Sequence, residues 1–131
     1  MLTNSPLYPV LPAADLERAK AWYADNLGLE SSMDDEARGS AIYDHAGSKF
    51  LIYASEFAGS NEATAAGFLL DNFDEVVAHL RSRGVEFIDL DFGEGMQTVD
   101  GVISSPDGSE KGAWIKDSEG NILALSTPPA G

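Results

Sequence analysis

The 131-residue chain has no cysteine, which excludes a disulfide framework, a thiolate nucleophile and a sulfur metal site. Cations are few: eight Lys and Arg against 22 Asp and Glu give a formal net charge of −14. Nucleic-acid binding needs a basic footprint, so the balance argues against that partner. An acidic surface keeps a protein in solution and attracts small cations. No run approaches the roughly 18 consecutive apolar residues of a membrane span. Met1 to Pro6 lack the cationic and apolar regions of a signal peptide. The expectation is a soluble cytoplasmic protein with no membrane partner. Histidine is scarce as well. His45 falls in a predicted turn and His79 beside the apolar face of a predicted helix, so both read as ordinary exposed or edge histidines. There is no Gly-x-Ser-x-Gly elbow and no phosphate-binding glycine loop.

What is present is a pattern that occurs twice. The length suits one domain with its own core. Asp15 is positioned to cap a helix reaching Leu27, with Leu16, Ala19, Tyr23 and Leu27 on one face and Gly28 as its stop. Asn72 caps a second, with Phe73, Val76, Val77 and Leu80 at i, i+3, i+4 and i+7 and Gly84 as its stop. The two patterns lie roughly 57 residues apart. A strand-like run precedes each helix, Leu7 to Leu11 and Ala65 to Leu70. Three extended segments follow each: 29–34, 40–44 and 49–54 in the first half, 85–91, 112–116 and 122–126 in the second. The order is βαβββ twice, an α+β pattern. It predicts one domain over 1–131, made of two modules at about 5–56 and 63–128. Residues 55–64 read as the linker, and 92–110 as a long irregular segment of the kind that often forms a lid or binding loop.

Two motifs carry a family likeness. Ala14-Asp15-Leu16-Glu17-Arg18-Ala19-Lys20-Ala21-Trp22-Tyr23-Ala24-Asp25-Asn26-Leu27-Gly28-Leu29 resembles the first helix and "LGL" exit of the vicinal oxygen chelate superfamily, the glyoxalase/bleomycin-resistance/dioxygenase group. Trp114-Ile115-Lys116-Asp117-Ser118-Glu119-Gly120-Asn121-Ile122-Leu123 resembles its "F-x-D-P-D-G-N" hairpin, with Ser118 in place of proline. The resemblance spans nearly all of residues 7–127. It implies tandem βαβββ modules forming an open, cup-like mixed β-sheet with helices outside, and a homodimer with pockets near its interface. In the enzymes of the group a divalent metal, held by His, Glu or Gln from the first and last strands of each module, chelates substrate oxygens as a Lewis acid.

Carried onto this chain, those ligand positions fall at Tyr8, at Ala65, at Leu51, Ile52 or Tyr53, and at Ala124. None offers the nitrogen or carboxylate donors such a metal needs. Neither metal nor cofactor is therefore expected. Asp34-Asp35-Glu36 reads as a solvated loop, and Asp89, Asp91 and Glu94 follow no calcium-loop spacing. Alternation along the strands instead points to an apolar pocket lined by Tyr8, Tyr53, Ala65, Trp114, Ala124, Met33 and Met96. The resulting expectation is a metal-free protein that binds a small cationic or aromatic molecule, with no catalytic residue assigned. Its alternative is a lyase, isomerase or dioxygenase of the glyoxalase group, with displaced ligands or a non-metal acid–base mechanism.

Overall fold

The computed structural model describes residues 1–129. The first half runs β1 (Val10–Ala13), α1 (Leu16–Trp22), β2 (Met33–Asp35), β3 (Ser40–His45) and β4 (Ser48–Ala54). The second runs β5 (Thr64–Leu69), α2 (Phe73–Ser82), β6 (Val102–Ser104), β7 (Lys111–Lys116) and β8 (Ile122–Ser126). Each half builds one four-stranded mixed sheet, in the orders β1-β4-β3-β2 and β5-β8-β7-β6, with its first strand parallel to its last. Both sheets are open rather than closed, as the family resemblance implies.

Local chemistry explains the helices. The Asp15 carboxylate accepts from the Arg18 amide and caps α1. After about two turns the chain slackens into a π-helical turn over Tyr23–Leu27, where the Asn26 side-chain amide donates to the Trp22 carbonyl. Gly28, at φ +69°, ends it in the left-handed conformation glycine tolerates. In α2, Phe73, Val77 and Leu80 are buried, while the Asn72 side chain makes no capping bond.

Alternation along the strands gives each sheet two faces. Leu11, Ala13, Ala41, Tyr43, Phe50 and Ile52 of the first sheet and Ala113, Ile115, Leu123 and Leu125 of the second are buried together with Ala19, Tyr23 and Leu80 in one core. The opposite faces are open.

Two expected strands are corrected. The segment expected near 85–91 is not a continuous strand. Lys116 donates to the Glu86 carbonyl and Ile88 to the Trp114 carbonyl, after which the chain leaves β7 and returns as β6. The edge of β7 is thus covered in two pieces, with 89–101 looped out between them. Asp89 holds the loop neck by accepting from the Thr98 hydroxyl and the Gly101 amide, both at 2.8 Å. Gly101 has φ +82°, and a Cβ there would lie 2.8 Å from that of Phe87, so only glycine fits. The first strand starts at Val10 rather than Leu7, because Pro9 has no amide N–H to add to the ladder.

Candidate functional site

The acidic hairpin turn between β7 and β8 ties the two halves together. The Asp117 carboxylate accepts from the Tyr23 hydroxyl at 2.7 Å, from the Asn121 side-chain amide at 2.8 Å, and from the Glu119 and Asn121 backbone amides at 2.8 and 2.9 Å. Asn121 also donates to the Pro12 carbonyl on β1. Glu119 takes both forks of the Arg18 guanidinium, at 2.8 and 2.9 Å, together with the Asp15 amide and the Ser118 hydroxyl. The Arg18 hydrogen bond, reinforced by the Asp15 amide, holds the Glu119 carboxyl down at about 2. Burial and the neighbouring Asp117 push the Tyr23 phenol far above its ordinary value, so it stays a donor. Tyr23, Asp117, Glu119 and Asn121 are buried and engaged with one another or with the half-exposed Arg18.

The open faces are built differently. On the first sheet Val10, Leu51, Ile42 and Met33 form one row across all four strands, and Pro12, Tyr53, Ser40 and Asp35 the next. Met33 (62% exposed), Val10 and Tyr53 leave much of their apolar surface in water. Tyr8, half-exposed just before β1, lines a shallow cavity of about 760 Å³ beside the β3–β4 turn. On the second sheet Gly67, Ala124 and Trp114 stand side by side, as do Leu69, Ser126 and Gly112. Phe92 packs against Trp114 with ring centroids 5.4 Å apart, and its amide donates to the Met96 carbonyl.

The expected pocket residues thus fall into two groups. Tyr53 and Met33 share the first open face, with Tyr8 at its border; Ala124 and Trp114 share the second, with Met96 beside them through Phe92. No described cavity is lined by both groups. Ala65 stands apart, because the β5–β8 register shifts between Thr64 and Ala66 and a bulge turns Ala65 toward the core. The register also selects among the three last-strand positions of the first half. Val10 opposes Leu51 as Gly67 opposes Ala124, so Leu51 is the counterpart of Ala124.

A divalent ion does not fit these positions: a phenol, two alanines and a leucine supply no suitable donor set. Among the described residues no group of three or more His, Asp or Glu gathers at metal-binding range. Asp34 and Asp35 stand in strand β2 rather than in the expected loop, and Asp34 is ion-paired with Lys20 at 2.6 Å, which lowers its pKa.

Two side chains escaped the sequence reading. Phe92 had no pattern to mark it, because its role depends on where the loop folds. His45 had a signal: alternation along β3 puts it on the inward face with Ala41 and Tyr43. It sits between Phe50 and Phe68, at ring distances of 5.7 and 5.9 Å, rather than in open solvent. Its Nδ1 is buried with no hydrogen-bond partner. Cavities of about 590 and 320 Å³ flank it.

Comparisons with known proteins agree on one family. The family model of the Glyoxalase/Bleomycin resistance protein/Dioxygenase superfamily matches residues 6–124. No curated protein matches the sequence. Among solved structures, the bleomycin resistance determinant of transposon Tn5 is similar at a TM-score of 0.69 and 18% identity, covering 96% of this chain and 99% of that one. Lactoylglutathione lyase from Agrobacterium tumefaciens gives 0.69 at 16% identity, covering 97% and 96%. A glyoxalase/bleomycin resistance protein from Catenulispora acidiphila gives 0.65 at 21%, covering 94% and 97%. At these identities the likeness is one of fold.

Proposed function

The chain belongs to the Glyoxalase/Bleomycin resistance protein/Dioxygenase superfamily, and from that premise we propose that it sequesters a small aromatic or cationic molecule without transforming it. The observation that carries this reading is the apolar exposure of the open faces, where Val10, Tyr53, Met33, Leu69, Phe92 and Met96 all face water. Contiguous apolar surface of this kind marks a place where something binds. Tyr8, Tyr53 and Met33 supply one wall and Trp114, Ala124 and Met96 another, with Ala65 setting the bulge at the border. A homodimer bringing a first-sheet face against a second-sheet face gives a ligand both walls. Among the described residues no helix is long and apolar enough to cross a membrane, and a cytoplasmic site of action accords with that.

Aromatic rings give a flat ligand a large contact area, and their faces attract cations. The charge of −14 raises the local concentration of positive molecules. Without donors at the four positions, binding rests on shape and dispersion, and no residue needs to move a proton.

The test is a thermal-shift and tryptophan-fluorescence screen against cationic and aromatic compounds. A binder at about 100 times its Kd adds roughly 2.7 kcal/mol and raises Tm by several degrees. A panel in which nothing shifts the transition overturns the reading. So does a stoichiometric divalent ion whose removal abolishes a lyase, isomerase or dioxygenase activity.

A further inference from the structure

The cavity of about 590 Å³ lies between the π-helical turn and α2, mostly on the helix side of the second sheet, with Leu69 of the open-face row at its rim. Its size falls in the range of small-molecule pockets, about 300–1,000 Å³. Phe68, Leu80 and Leu125 give it an apolar floor. The polar groups in its lining are Asn26, His45, Asn72, Glu75 and His79, and Glu75 carries the negative charge among them. His45 lines the cavity, and its buried Nδ1 lacks the partner that buried polar atoms normally have. Glu75 is the one carboxylate in the lining, and no basic side chain pairs with it among the described residues; its recorded contact is the Asn72 amide at 3.4 Å. The turn that positions His45 is strained as well, since Ala46 adopts φ +49° without glycine's freedom. Strain of this kind gathers at ligand clamps.

We propose that this seam between the two halves is a second binding site, separate from the open faces, for a small lipophilic amine. The apolar body of the amine covers Phe68, Leu80 and Leu125. Its ammonium supplies a positive charge for Glu75. A carboxylate of the same shape meets Glu75 with like charge.

The experiment titrates the full chain with 1-naphthylmethylamine and with its anionic counterpart 1-naphthaleneacetate, read by amide chemical shifts and calorimetry. The expected result is perturbation at Ala46, Phe68 and Glu75, and about fivefold or greater preference for the amine. Glu75→Lys, at an exposed helix position that leaves the fold intact, reverses that preference. Val76→Trp fills the cavity and cuts affinity roughly tenfold; if that variant does not fold, Glu75→Lys decides. Trp114→Ala leaves amine binding within about twofold, which separates this site from the function proposed above. Perturbations confined to Trp114 and Ala124, equal binding of the two probes, an unchanged preference in Glu75→Lys, or no binding at millimolar amine overturns the proposal.

Discussion

Asp117, Glu119 and Asn121 are polar residues that the fold buries, while Tyr8, Met33, Tyr53 and Met96 are apolar residues that it leaves in water. The two regions invert the usual distribution, and each inversion has its own reason. In the hairpin every buried polar atom has a partner, so its burial costs little and fixes how the second half meets α1 of the first. On the open faces Phe92 packs over Trp114, but among the described residues Val10, Met33, Tyr53, Leu69 and Met96 stay exposed, and that exposure is retained at the expense of stability. A densely bonded acidic motif therefore marks assembly here, while the plain apolar surface is where the proposed function puts the ligand.

The sharpest way to break the contrast is Asp117→Ala. It leaves the Tyr23 hydroxyl and the Glu119 and Asn121 backbone amides without an acceptor, and takes one of the two acceptors of the Asn121 side chain. A loss of about 3–5 kcal/mol is expected in urea unfolding, enough to threaten folding. Acid tests the same region more gently. Glu119 titrates at about 2 in the folded chain against an ordinary 4.5. Because its folded pKa is depressed, its stabilisation is fully present above about pH 4.5 and is lost as the pH falls toward 2. A contribution on the order of 2–3 kcal/mol is expected across that window, and Glu119→Gln should flatten that part of the ΔG-versus-pH curve. A curve in Glu119→Gln as steep as in the native chain would show that the hairpin does not carry the pH dependence. Gly120→Ala should cost about 1–2 kcal/mol of Tm-derived stability, since Gly120 has φ +88° and a Cβ would lie 3.0 Å from the Gly59 Cα. Smallest in stability are Tyr53→Ala and Trp114→Ala, expected within about 1 kcal/mol because the rings are partly in solvent. Their effect should appear instead as a roughly tenfold weaker binding of an open-face ligand, read by titration.

Much of the fold was legible in the chain. Both helices, the parallel and antiparallel strands and the two-residue turn at Ala46-Gly47 follow from periodicity, caps and glycines, which are local properties. The split strand along β7 was not, because it depends on Asp89 finding Thr98 and Gly101 across a loop. The candidate site divides the same way. Trp114 and Ala124 are paired across β7 and β8, but a one-residue bulge sets Ala65 out of line with them, and no local pattern announces a bulge. Phe92 entered the site only because the looped-out segment folds back over Trp114.

Residue types were enough to identify the family motifs. Which groups meet across the chain was decided in three dimensions. Asp117 lies 94 residues from Tyr23, and Glu119 lies 101 from Arg18. Such pairings depend on closing long loops and packing both halves on one core, and their energy is absent from any local window of the sequence. The same packing wedged His45 between Phe50 and Phe68, turning a residue with the local marks of an exposed turn into a buried nitrogen beside a cavity.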